Sequence, residues 1–290
     1  MNFINNNKNP KSIVVPKFLI IATNIIQTIS SNLIAKLGAK LFLTPVKFGT
    51  PKREKMLYES AQKKRIPIKT IHKEIEVLTY GYSKKKVLFI HGWSGRSTQL
   101  FLAADKLLEK GYMLVAFDGP AHGKSTGKRT SMPEFLETIK EVTNLYGPFE
   151  VAIGHSFGGM CLYNAVAEDL SVKKLITIGA GDKISEVILN FTKSLKLKNY
   201  VAKKIKGIYD KQWEKDVDEH ASSEMAKKIN IPALVIHDSM DGDVDVSSAI
   251  NIRQSLKRGE LFITNGLGHT KILRDKKVAV KIIEFIQKDT

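Results

Sequence analysis

The sequence is short of cysteine, of acid and of arginine. Its one cysteine, Cys161, excludes an intrachain disulfide, so burial and hydrogen bonding must hold the fold, and a reducing compartment suits it. Asp+Glu number 29 against 46 Lys+Arg, a formal charge of +17 over 290 residues. Such an excess is compatible with a nucleic-acid or membrane partner. Yet 39 of the 46 basic residues are lysine, mostly scattered, in a chain also rich in Asn and Ile, as AT-rich coding favours. No basic stripe interleaved with aromatics is present, so no nucleic-acid partner is expected. The seven histidines and Cys161 show no metal-ligand spacing, and neither a metal nor a cofactor is expected. There is no internal repeat and no long low-complexity linker. With 43% hydrophobic and 26% charged positions the chain can bury a full core, as one large α/β domain or as two.

Acid is missing altogether from residues 1–53, which carry eight basic groups, Lys8, Lys11, Lys17, Lys36, Lys40, Lys47, Lys52 and Arg53. Within them, Phe18 to Ala35 is free of charge and just reaches the ~18 residues of a membrane-span candidate. Thr23, Asn24, Gln27, Thr28, Ser30, Ser31 and Asn32 interrupt it, and Ala22, Ile26, Ile29, Leu33 and Leu37 recur at helical spacing. The reading is therefore an amphipathic helix from Phe18 to about Leu43, ended by Pro45 and Pro51. Docking on the protein's own body is the first expectation for it, weak membrane-surface association the second, and export, for which no cleavage site follows, the third. The organisation expected is a basic segment over 1–53 and a domain over 54–290, in a cytoplasmic protein or one peripheral to a membrane.

Beyond that segment, β-branched runs at Ile71–Thr79, Val87–Ile90, Met113–Phe117, Val151–Ile153, Leu175–Ile178, Ala233–Ile236 and Leu261–Thr264 alternate with helical patterns. The helices are expected over Gln99–Lys110, Met132–Tyr146, Phe157–Asp169, Ser247–Lys257 and Val278–Gln287, the second opened by a Ser131/Glu134 capping box. This rhythm predicts an α/β fold, a mostly parallel sheet with helices on both faces. It breaks once, at about 181–230, where two lysine-rich helical pieces read as a small lid over the carboxyl ends of the strands.

The chemistry starts at Gly154–His155–Ser156–Phe157–Gly158, a G-x-S-x-G run between a strand and a helix. The glycines let strand and helix approach, and the tight turn lifts the serine hydroxyl above the sheet, next to the helix N-terminus. A serine needs a base. His269, in the glycine-rich Gly266–Leu267–Gly268–His269 after the last strand, is the best placed in the order Ser…Asp…His. His155 adjoins the serine but should point away from it and serve in packing; His91 and His237 end strands as hydrogen-bonded turn residues. The carboxylate that orients the base should follow Ala233–Ile236, where Asp238, Asp241, Asp243 and Asp245 compete. Asp241 is preferred for its H-x-x-x-D-x-x-V spacing, with Asp243 second. Backbone N–H groups of Trp93, in His91–Gly92–Trp93, and of Phe157 complete the site as oxyanion donors.

Taken in order, His91–Gly92–Trp93, Asp118–Gly119–Pro120–Ala121–His122–Gly123–Lys124–Ser125, Gly154–Gly158, Asp241 and His269 resemble the motifs of the α/β-hydrolase fold superfamily from about Ile71 to Gln287. The second motif carries Ala121 where members commonly have glycine, and the chain is similar to a bacterial subgroup of generic serine hydrolases without an agreed substrate. The resemblance implies hydrolysis and a lid but no substrate, and the site residues read as those of a serine hydrolase without cofactor, acting through an acyl-enzyme on Ser156 upon a small-molecule acyl substrate. A carboxylic ester is favoured, and the lysines of the lid suit an anionic or lipid-like one. The alternative is a non-catalytic ligand-binding or signalling protein on the same fold. Two other likenesses fail. The Gly119–Ser125 run lacks a P-loop residue and has Pro120 where an N–H is needed, and Asp241–Asp245 lacks the glycine and glutamate of a calcium loop.

Overall fold

In the computed structural model the described residues are 11 and 14–288; Lys8 and the rest of 1–10, with 12, 13, 289 and 290, lie outside them. The described chain opens with helices α1 (Lys17–Ile29), α2 (Ser31–Phe42) and α3 (Lys52–Ser60), then strands β1 (Gln62–Ile68), β2 (Lys73–Tyr80) and β3 (Lys86–Ile90). There follow α4 (Phe101–Glu109), β4 (Met113–Phe117), α5 (Met132–Tyr146), β5 (Val151–His155), α6 (Phe157–Glu168) and β6 (Lys174–Ile178). The remainder is α7 (Ile184–Ser194), α8 (Asn199–Trp213), α9 (Ser222–Ala226), β7 (Ala233–Asp238), α10 (Val246–Ser255), β8 (Gly259–Thr264), α11 (Gly268–Lys271) and α12 (Lys276–Gln287).

The eight strands form one sheet in the order β1-β2-β4-β3-β5-β6-β7-β8. β1 and β2 run antiparallel at one edge, and every pairing from β4 onward is parallel. Strands buried on both faces have no reason to alternate in polarity, which is why β3, β4 and β5 read as continuous apolar runs. Alternate residues still face opposite ways. Leu88, Ile90, Val115 and Phe117 pack with Phe135, Ile139 and Leu162 on one face, while Val87, Phe89 and Leu114 pack with Leu107, Ile282 and Ile286 on the other. β3 lies between β4 and β5, so the strand order reverses there, and the carboxyl ends of β3 and β5 flank the crevice where such sheets hold ligands.

Three local expectations change. β1 was not expected as a strand, because Gln62–Lys63–Lys64–Arg65 is fully polar; it survives as an edge strand that buries only Ile66 and Ile68, and Pro67 is tolerated at an edge. The single helix expected from Phe18 to Leu43 is two. Ser30 adopts an extended conformation (φ −152°, ψ 119°) and its Oγ accepts the Leu33 N–H at 3.2 Å, so it ends α1 and caps α2. The Ser131/Glu134 capping box does not form: Ser131 makes no capping bond, and the Glu134 carboxylate pairs with Lys73 Nζ at 2.6 Å.

A third apolar cluster stands above the sheet. Ile34, Ala35 and Ala39 of α2 meet Ile188 of α7, Leu195, Leu197 and the Val201, Ile205 and Tyr209 face of α8. A Cβ on Gly38 would lie 2.7 Å from Ile205 Cδ1, so α2 and α8 pack as closely as they do because that position is glycine. Tyr209 donates to Ala39 O at 2.7 Å across the same contact. This helical layer is thus built from both chain segments, α1–α2 and α7–α8. The later part of the 181–230 stretch does not join it. Met225, Ala226 and Ile229 return to the sheet-face cluster, since α9 packs against α6 and α10.

Candidate active site

The turn between β5 and α6 places Ser156 at φ 51° and ψ −119°, a conformation costly for a residue with a Cβ. It is enforced from both sides. A Cβ on Gly154 would come within 2.7 Å of Gly158 O and of Gly159, and one on Gly158 within 2.4 Å of Ile90 O. Only glycine at both positions lets β5, α6 and β3 close up around the serine.

Three side chains from different elements converge there. His269 Nε2 lies 2.8 Å from Ser156 Oγ, and His269 Nδ1 lies 2.7 Å from Asp241 Oδ2. The serine hydroxyl donates to Nε2, which leaves Nδ1 as the protonated nitrogen that donates to the carboxylate. Asp241 Oδ1 in turn accepts the N–H groups of Asp243 and Val244 at 2.8 and 2.9 Å, so neither oxygen can swing away. Burial alone would push the His269 pKa down, but the hydrogen bond and charge of Asp241, with the charge of Asp243, outweigh it and the net shift is upward. Burial alone would raise the Asp241 pKa, and the bonds and charges of His269, His237 and the Val244 amide reverse that, holding it below an ordinary aspartate.

The other aspartates of this loop have distinct tasks. Asp238 Oδ2 accepts Thr264 Oγ1 at 2.7 Å and Leu267 N–H at 3.0 Å, tying the loop that carries His269 to the end of β7. Asp245 caps α10 through the Ser247 N–H. Asp243 contributes its backbone to Asp241 and its charge to His269. Asp241, Asp243 and His269 also bring possible ligand atoms within 4.8 Å of one another, but the bond between Asp241 and His269 already occupies the pair a cation would need.

Around Ser156 two neutral histidines are struts. His91 Nε2 accepts the Gly119 N–H at 2.8 Å, so its protonated Nδ1 donates to Gly92 O. His122 Nε2 accepts the Ser94 N–H at 2.9 Å, so its Nδ1–H faces Pro120 O. Burial lowers the pKa of both. These bonds hold the His91–Gly95 turn: Ser94 and Gly95 N–H groups are engaged with His122 and Gly92 O, next to Trp93. Phe157 begins α6, so its N–H has no acceptor within the helix. The Trp93 ring meets Phe157 edge-on at 5.3 Å and stacks on Phe42 of α2 at 6.4 Å, and Phe42 also touches Phe191 of α7 at 5.4 Å. The helical layer above the sheet thus reaches Trp93 through Phe42 of α2.

His155 is more than the packing residue expected from its position. Its Nε2 bonds His269 O at 2.9 Å and the two rings lie 4.9 Å apart. Adjacency to the serine was its only signal; the partner lies 114 residues away. His237, read as a turn residue, lies within β7, where its Nε2 bonds Val244 O and sits 3.5 Å from Asp241 Oδ2. Asp118 anchors its turn by accepting the Ser97 and Lys124 N–H groups, and a Cβ on Gly123 would strike its carboxylate. Cys161 is buried in α6, where burial pushes its thiol pKa up and leaves it inert. A cavity of about 90 Å³ lined by Phe48, Tyr58, Arg96, Asp118 and Lys124 contains none of the three converging residues.

Comparison with known proteins agrees with this architecture. A family described as alpha/beta hydrolase fold matches residues 85–216. Comparison with curated protein sequences found no match. An esterase from Exiguobacterium antarcticum superposes with a TM-score of 0.62 at 16% identity, over 78% of this chain and 100% of that one. An esterase from Pyrococcus furiosus gives 0.63 at 18%, over 84% and 96%. A bacterial membrane phospholipase A gives 0.63 at 18%, over 93% and 98%. The chain has the α/β-hydrolase fold.

Proposed function

We propose that the protein is a serine hydrolase that cleaves carboxylic esters through an acyl-enzyme on Ser156. The observation that carries this reading is the continuous pair of hydrogen bonds from Ser156 Oγ through His269 to Asp241, at 2.8 and 2.7 Å. As Oγ attacks the ester carbonyl carbon, its proton passes to His269 Nε2, and the imidazolium is stabilised by the Asp241 carboxylate. The N–H groups of Trp93 and Phe157 receive the negative charge on the carbonyl oxygen. Collapse breaks the carbon–oxygen bond to the alcohol, which leaves with the proton from Nε2. Water then repeats the sequence at the acyl carbon and frees Ser156 and the acid. His155 holds the His269 backbone and acts as a positioning residue.

Esterases among proteins of the same fold support the choice of bond, and the apolar Phe42, Trp93 and Phe157 rings beside the serine suit an acyl chain. The test is labelling with a fluorophosphonate probe followed by a panel of esters of graded acyl length. The full chain should be labelled and turn over esters, and Ser156→Ala should do neither. A folded wild-type chain that is not labelled and hydrolyses no ester in the panel would overturn the reading.

A further inference from the structure

Helix α1 is amphipathic with its polar side inward. Thr23 is fully buried, Asn24 Nδ2 donates to Leu195 O at 2.9 Å, and Gln27 Oε1 accepts the Lys198 N–H at 2.7 Å. These contacts fix the rotation of α1 on the turn between α7 and α8. Leu19 and Ile26 also pack inward, but Phe18 is 73% exposed, Ile21 61%, Ile25 56% and Ile29 74%, and past the break at Ser30, Leu33 of α2 is 53% exposed. Along α1, steps of three and four residues make Phe18, Ile21, Ile25 and Ile29 one continuous face, and Leu33 is exposed separately on α2. Single exposed apolar residues are ordinary, but an unbroken row beside a neighbour, α2, whose own stripe is buried marks a surface meant to be covered.

The surrounding charge identifies the cover. Residues 1–53 contain no acid. Lys17 adjoins Phe18, and Lys36 and Lys40 follow Leu33 at helical spacing on the same face; all three are exposed. Lys204 Nζ sits between Ser31 Oγ and Asn32 Oδ1, beside Leu33, and Lys196, Lys198 and Lys203 are exposed along the adjoining α7–α8 stretch. An apolar row edged by cations fits the boundary between acyl chains and anionic headgroups. Among the described residues no helix is long and apolar enough to cross a membrane, so the row lies along the surface rather than through it. We propose that the outer face of α1, with Leu33, Lys36 and Lys40, docks the protein on an anionic lipid bilayer. The docking does not depend on whether Ser156 is a nucleophile.

The experiment is sedimentation of the full chain with vesicles of phosphatidylcholine alone or mixed with phosphatidylglycerol, at low and high salt. Binding is expected to the mixed vesicles, weaker at high salt. Ile21→Ser/Ile25→Ser/Ile29→Ser should lose at least about tenfold in affinity, and Lys36→Glu/Lys40→Glu should lose binding to the anionic vesicles selectively. Far-UV circular dichroism and hydrolysis of a water-soluble ester serve as controls for folding, and if the triple variant misfolds the lysine pair decides alone. A full chain that stays in the supernatant with anionic vesicles overturns the proposal. So do variants that bind like wild type, or a wild-type dimer that ignores vesicles and dissociates in the triple variant, which would make the face an interface between copies.

Discussion

In the sheet body, the groups near Ser156 are held by several close contacts and hydrogen bonds at the ends of neighbouring strands. Gly154 and Gly158 set the turn, Asp238 ties the loop before His269, and the amides of Asp243 and Val244 clamp Asp241. The helical layer of α1–α2 and α7–α8 joins segments much farther apart in sequence. Its core forms only when α2 finds α8, as in the bond from Tyr209 to Ala39, 170 residues apart in sequence. Converging contacts are rigid and over-determined, whereas a layer held by one apolar seam can open at a free energy well below that of global unfolding. The contrast suits a site in which proton transfer needs fixed geometry below and substrate needs a movable wall above.

The strongest test of the rigid half is removal of its parts. Ser156→Ala and His269→Ala are each expected to lower kcat by about 10⁴- to 10⁶-fold with unchanged circular dichroism, because in the proposed mechanism the three groups act as a unit. Asp241→Asn should follow at about 10⁴-fold, through the wrong imidazole tautomer, while Asp243→Asn stays within about tenfold. Equal losses for the two aspartates would show that the clamp on Asp241 does not select it.

Titration sharpens the same half. His269 must be neutral to accept the serine proton, and its pKa is raised, so the acid limb of kcat/KM should fall above the 6.5 of an ordinary imidazole. In the proposed mechanism activity therefore appears as pH rises through the raised pKa of His269. Stability runs oppositely: the imidazolium–carboxylate contribution is complete below the unfolded pKa and is lost as pH rises through the folded one. Asp243→Asn should move the acid limb downward, since its charge helps raise the histidine. A limb at or below 6.5 in the wild type would contradict the pairing with Asp241.

For the movable half, Gly38→Val places atoms where Ile205 Cδ1 now lies and should cost about 1–3 kcal/mol, read as a lowered Tm and faster proteolysis between α1 and α3. Esters with long acyl chains should lose more activity than short ones. The smallest expected effect is Tyr209→Phe, which removes one buried bond to Ala39 O and should cost about 1 kcal/mol with little change in kcat. If Gly38→Val leaves proteolysis and chain-length preference unchanged, the helical layer is as fixed as the body.

The strands from β2 to β8, the G-x-S-x-G turn and the glycine-rich loop of His269 were legible in the residues themselves. Each depends on neighbours within a few positions: β-branched runs, glycines at fixed offsets, a loop after a strand. β1 was hidden because an edge strand buries one side chain in two and needs no apolar run. The break at Ser30 was hidden because a serine within a helical pattern is equally consistent with continuation and with a cap. Four aspartates within eight residues have nearly the same local chemistry, and sequence spacing could rank but not separate them. Only the folded loop assigns Asp238 to Leu267, Asp241 to His269 and Asp245 to α10. The same holds for His155, whose partner is a carbonyl on a distant loop, and for α1, whose outward face depends on where Asn24 and Gln27 find acceptors. Local sequence determined which elements form and which chemistry they carry. Tertiary structure decided which of several equivalent side chains meet, because that depends on distances through space that spacing along the chain does not encode.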